Sequence, residues 1–156
     1  MRKEIVSGLI RDMPGISYNE IVRKTGLSNG VVSHYLIKLM ESGEVEKEGA
    51  IRGKYFSRNI PKRDRVLITL LRNKTNNGVF RYLMEKTKLN DPVNAKEIIK
   101  KIKKSDSTIS VSLKILQKNN IVERVIMNKN SKLTNDIGYK ISNTKLWTSY
   151  FMKYNL

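Results

Sequence analysis

Residues 16–45, ISYNEIVRKTGLSNGVVSHYLIKLMESGEV, lie over residues 93–122, VNAKEIIKKIKKSDSTISVSLKILQKNNIV, without a gap and at a constant offset of 77, Ser28 falling on Ser105. Identities occur at Glu20/Glu97, Ile21/Ile98, Lys24/Lys101, Ser28/Ser105, Ser33/Ser110, Leu36/Leu113, Leu39/Leu116 and Val45/Val122. An internal repeat of this kind dictates two copies of one module. The 156 residues suffice for two small domains with their own cores.

Local signals define the module. Ser17 and Asn94 are good N-caps, each followed three residues later by Glu20 or Glu97, the capping-box spacing that starts a helix. Ser28 and Ser105 cap a second helix, whose apolar residues Val32, Leu36, Leu39 and Ile109, Leu113, Leu116 recur on one face. Upstream lie further apolar-periodic stretches, Ile5, Val6, Leu9, Ile10, Met13 in the first copy and Val79, Phe80, Leu83, Met84 in the second. Downstream, EVEKEGAIRGKYFS alternates around a Gly-flanked tip, and IVERVIMNKNSKLTNDIGYKIS carries β-branched runs around a polar centre; each reads as a hairpin. Three helices followed by a hairpin make a winged helix. The fold class expected is therefore mainly α with small β-hairpin wings (α+β), in two tandem winged helix-turn-helix domains plus a C-terminal helix. The boundaries expected are 1–60 for the first domain, 61–76 for a connector, 77–143 for the second domain and 144–156 for the C-terminal helix. Pro61 breaks the chain within the connector, and residues 66–71 read as a short buried apolar helix.

The stretch GLSNGVVSHYLIKLMESGEV is similar to the helix-turn-helix signature of archaeal and bacterial winged-helix transcription regulators of the ArsR and MarR type. The duplicated layout resembles archaeal regulators with two such domains in tandem. The resemblance implies that residues 29–42 form the recognition helix, that Gly26, Leu27 and Ser28 make the turn, and that the wing tip spans residues 49–54. The cysteine-based metal site of ArsR-type sensors has no counterpart, because the chain has no cysteine.

Composition agrees with a polyanion as partner. The formal net charge is +17, a field that attracts nucleic acid and costs self-repulsion until something neutralises it. The excess is uneven: residues 1–60 hold ten Lys and Arg against seven Asp and Glu, while residues 61–156 hold twenty-one against seven. No apolar run is long enough for a membrane span, so a cytoplasmic, nucleoid-associated protein is expected, with no membrane partner. One His and no Cys cannot build a zinc site, and no metal or cofactor is expected.

In a winged helix the third helix packs its apolar face down and leaves its N-terminal residues free for the DNA major groove. Ser28, Asn29, Gly30, Ser33, His34 and Lys38 fall there. Asn bonds an adenine edge, Ser reads bases permissively or holds phosphate, and Gly30 lets the backbone approach closely. Tyr35 and Ile37 are assigned to packing. Arg52 and Lys54 sit on the first wing, with Lys129 and Lys132 as loose analogues on the second, placed to meet phosphates or a narrow minor groove. In the second copy Lys100, Lys101, Lys103 and Lys104 precede the third helix, and Ser107, Ser110, Lys114 and Lys118 lie along it. This cluster reads as a phosphate grip. Lys103 and Lys104 stand where the first copy has Gly26 and Leu27, so a locally different turn is expected. Asp106 replaces Asn29, and a carboxylate there repels phosphate.

The tail NTKLWTSYFMKYNL sets Leu146, Trp147, Tyr150, Phe151 and Tyr154 at helical spacing, an aromatic stripe that packs on the second domain or forms a homodimer or partner surface. Enzyme function finds little support. GAIRGKY has three residues between its glycines where a phosphate-binding loop needs four, and Tyr55 replaces the Ser or Thr that would hold magnesium. The function expected is a sequence-specific, double-stranded DNA-binding transcription regulator acting at promoters, with the transcription machinery as a further partner. A sequence-independent architectural or replication-associated DNA binder and a tandem winged-helix interaction scaffold are the rival readings.

Overall fold

The structure is a computed structural model that describes residues 1–127 and 137–156. The described residues form a mainly helical fold with small antiparallel hairpins, divided into two compact units, Met1–Thr69 and Leu70–Tyr154.

The first unit contains α1 (Arg2–Asp12), β1 (Ile16–Ser17), α2 (Tyr18–Thr25), α3 (Asn29–Glu41), β2 (Val45–Glu48) and β3 (Lys54–Ser57). Helix α2 starts in a complete capping box: the Glu20 N–H donates to Ser17 Oγ, and the Ser17 N–H donates to the Glu20 carboxylate at 2.9 Å. It ends at Gly26, in the left-handed conformation at φ 69°, whose N–H donates to the Val22 carbonyl. Two residues later Ser28 accepts from the Val31 N–H and starts α3. Val32, Leu36 and Leu39 of α3 are buried with Val6 and Ile10 of α1 and Ile21 of α2. Each such side chain contributes roughly 1.5–3 kcal/mol by leaving water, so this apolar face alone fixes α3 against its neighbours.

The first wing differs from the expected two-stranded hairpin. Its sheet has three strands in the order β1-β3-β2, with Ile16 opposite Tyr55 and Ser17 opposite Lys54. Gly15, at φ 80°, turns the chain into β1, and its N–H donates to the Tyr55 carbonyl at 2.9 Å. A two-residue strand is too short to show alternation in sequence. The tip is residues 49–53, and Lys54 opens strand β3.

After Pro61 the chain forms α4 (Lys62–Arg72), longer than the expected apolar segment 66–71. Ile68 and Leu71 are fully buried, but Val66 is 56% exposed, because it sits off the face those two define. Arg65 is buried instead. Its guanidinium donates to Glu46 and Glu48 of β2, both at 2.7 Å, and to the Ile60 carbonyl at 2.9 Å.

The second unit holds α5 (Lys74–Lys88), α6 (Ala95–Ile102), α7 (Asp106–Lys118), β4 (Val122–Ile126), β5 (Ile137–Ile141) and α8 (Thr144–Lys153). Helices α6 and α7 begin and end at the same offset of 77 from α2 and α3. Val93, the counterpart of Ile16, forms a bridge to Tyr139 where the first unit has β1. The turn does not differ as expected. Lys103 takes the left-handed conformation at φ 60°, ψ 46°, and its N–H donates to the Ile99 carbonyl as Gly26 does to Val22. The flanking helices define where the chain must go, and the lysine accepts the backbone conformation they impose. Inside the unit, Ser112 of α7 donates to Asn76 Oδ1 of α5 at 2.6 Å, and the Asn76 amide donates to the Leu70 carbonyl. The aromatic stripe of α8 packs on the chain itself: Trp147 and Tyr154 are buried, and Phe151 stacks on Phe80 with centroids 5.4 Å apart.

Candidate nucleic-acid interface

At about 3.6 residues per turn, Gly30, His34, Ile37, Lys38 and Glu41 share the arc of α3 opposite the buried Val32, Leu36 and Leu39, and all five are exposed. Asn29 and the cap Ser28 are exposed at its N-terminal end, where free backbone N–H groups and the helix dipole favour anions. The His34 ring meets the edge of Tyr35, centroids 5.1 Å apart. Tyr35 is half-buried against the core, as its assignment to packing requires. Ile37 is not: it is 52% exposed, on the outer arc, because its position lies about 100° round the helix from Leu36.

Ser33 is half-buried at the margin of this arc, its hydroxyl 2.9 Å from that of Tyr18. The same Tyr18 hydroxyl donates to the Asn29 carbonyl at 2.8 Å. Tyr18, at the first position of α2, thus fastens the start of α3 to the helix before it. Sequence reasoning missed it, because nothing in its neighbourhood signals a partner eleven residues away.

The wing contributes Arg52, exposed in the tip, and Ile51, 96% exposed beside it. Lys54 is half-buried on β3, between Ser17 and Glu48 in the strand register, so it is not a tip residue reaching outward. Its charge lies near Glu20. Burial pushes the Glu20 carboxyl up, but the backbone N–H and hydroxyl of Ser17, with help from Lys54, hold it below its ordinary value. An open cleft of about 720 Å³ runs between the start of α2 and the wing, lined by Ser17, Tyr18, Asn19, Lys47, Arg52 and Lys54 among others. Two hydroxyls, an amide and three cations around one cleft make a path suited to a phosphate backbone.

In the second unit Lys100 and Lys101 occupy the last turn of α6, and Lys103 and Lys104 the turn that follows; all four are exposed. Ser107, Ser110 and Lys114 are exposed along α7. Ser105, which caps α7, also bonds the Thr108 and Ser107 hydroxyls at 2.8 and 3.1 Å. A cleft of about 440 Å³ between α6, α7 and the hairpin is lined by Lys96, Ser110, Lys114 and Arg124, with Asp106 as its acidic member. Lys96 and Arg124 were not singled out from the sequence, since an isolated surface cation carries no signal until the fold gathers it. Lys129 and Lys132, expected on the second wing, lie outside the described residues. Among the described residues no group of three His, Asp or Glu is gathered to hold a metal, and no helix is long and apolar enough to cross a membrane.

The family model of winged helix-turn-helix DNA-binding domains matches residues 7–46, from α1 through α3 to the start of the wing. Over those residues the first unit is similar to winged helix-turn-helix DNA-binding domains, and its helices and hairpin agree with a winged-helix fold. No curated protein matches the chain. Among solved structures the chain is similar to ScpB from Mycobacterium tuberculosis, with 10% identity, a TM-score of 0.36, and 95% of this chain and 92% of that chain covered. It is also similar to the DIP2311 protein from Corynebacterium diphtheriae, at 14% identity and a TM-score of 0.31, covering 90% of this chain and 26% of that one.

Proposed function

We propose that the protein is a sequence-specific, double-stranded DNA-binding transcription regulator of the cytoplasm, acting at promoters by binding and not by catalysis. The exposed arc of α3 within a winged helix-turn-helix domain carries this reading: Asn29, Gly30 and His34 stand clear of the core at the end of the helix that such domains place in the major groove. Asn29 supplies a donor and an acceptor to adenine, His34 a donor to guanine or phosphate, and Arg52 a cation to the backbone. The lysines of α6 and its turn hold phosphates without regard to sequence, so the second unit sets affinity while the first sets preference.

Homodimerisation through α8 would use its exposed Leu146 and Met152, since Trp147 and Phe151 pack on the second unit. Light scattering on the chain truncated after Asn143 tests it: an unchanged mass removes the dimer. The central experiment selects bound sequences from a random DNA pool at two salt concentrations. A recovered motif supports the regulator, and its length and symmetry report how many reading helices engage. Binding without a motif replaces it with a sequence-independent DNA binder, and no binding with a protein-interaction scaffold.

A further inference from the structure

We propose that Ile37 reads thymine, laying its aliphatic side chain against the 5-methyl group that an A·T pair presents in the major groove. The inference rests on the reading of α3 as the DNA-reading helix and names the base class it prefers.

Ile37 is 52% exposed and, unlike Tyr35 and Met40 of the same helix, is not among the hydrophobic residues packed on the core of the first unit. It stands on the outer arc one turn after Ser33 and His34 and one turn before Glu41, with Lys38 beside it. An aliphatic group of this size, alone among polar and charged neighbours that include the acidic Glu41, is too small a patch for a protein interface. It does match the apolar feature of the major-groove floor, the thymine methyl. Asn29, two turns earlier, offers the amide that bonds adenine, so the two ends of the arc favour the same kind of base pair. The second unit repeats the chemistry at a different position. Val111 is 56% exposed on the outer side of α7, one turn after Ser107 and next to Ser110, yet it falls at the place of His34, not of Ile37.

The test starts from the duplex recovered from the random pool. Each thymine is replaced in turn by deoxyuracil, which pairs identically and lacks only the methyl group. The full chain is expected to lose about fourfold in affinity at one or two thymines, the effect of one methyl-sized group returned to water. Ile37→Ala is expected to bind the thymine and deoxyuracil duplexes equally at those positions, and its thermal melt to match the parent because the side chain lies outside the core. Equal affinity of the parent protein for every thymine and deoxyuracil pair overturns the inference and leaves the regulator reading standing. An Ile37→Ala chain that keeps the fourfold preference overturns it in the same way. Failure to recover any motif overturns both.

Discussion

Arg65 is the residue on which the first wing depends. Burial works against its charge, but Glu46 and Glu48 more than offset that cost, and its guanidinium lies 5.5 Å from the Phe56 ring centre. Arg65→Met leaves both glutamates without their donor, and a loss of about 2 kcal/mol is expected, the size of one or two charge-assisted hydrogen bonds; urea denaturation measures it. Glu46 accepts at an exposed edge, so Glu46→Gln costs less. The hydrogen bond from Arg65, only partly opposed by desolvation, holds the Glu46 carboxyl below its ordinary value. A lowered folded-state pKa gives stability that is present above the ordinary carboxylate range and is lost as pH falls through it. The stability gap between the parent and Glu46→Gln should therefore close in acid and stay constant near neutrality. At the reading face, Asn29→Ala and His34→Ala should erode the ratio between selected and competitor DNA, with about 1–3 kcal/mol of discrimination lost where a bidentate contact disappears. Competition gel shifts measure the ratio; equal weakening of both DNAs would count against a base-reading role. Asn29 and His34 could be read from the sequence as candidates because a cap and a 3.6-residue period fix their face. Tyr18 and Arg65 could not, because their partners are chosen by the fold.

At the scale of elements, α6 and α7 repeat the bounds of α2 and α3 at the offset of 77, and the turn within each pair takes the same backbone form with a different residue. Gly26 enters the left-handed region without a Cβ, whereas Lys103 enters it with one. Lys103→Gly should stabilise the second unit by about 1 kcal/mol, the approximate steric cost of that conformation for an L-residue, seen as a higher denaturation midpoint. If Lys103 also meets a phosphate, the same change should flatten the log–log salt slope of DNA binding by about 0.9. The turns that follow α3 and α7 show the same pattern, Gly43 at φ 75° and Asn120 at φ 59°, and asparagine tolerates the left-handed region better than lysine does. Helix α8 belongs to the second unit because Phe151 needs Phe80 to stack upon and Arg81 to cover it, at 4.4 Å from ring centre to guanidinium. A helical stripe of aromatic residues announces that it will be buried without saying against what.

For the whole molecule the governing quantity is its net charge of +17. If about six to ten phosphates are neutralised, affinity should fall roughly 10³- to 10⁵-fold between 50 and 200 mM salt. Replacing Lys100, Lys101 and Lys104 together should weaken binding to all DNA alike and reduce that slope. Fluorescence anisotropy on selected and scrambled duplexes separates the two effects, and a loss confined to the selected duplex would contradict a phosphate grip. The repeat, the caps, the helix faces and the excess of lysine could all be read from the chain alone, because each arises from contacts within one or two helical turns or from composition. The third strand of the first wing, the placing of Lys54 in a strand and the gathering of Lys96 and Arg124 beside α7 could not. Each depends on segments distant in sequence meeting in space, and short-range periodicity carries no information about which segments meet.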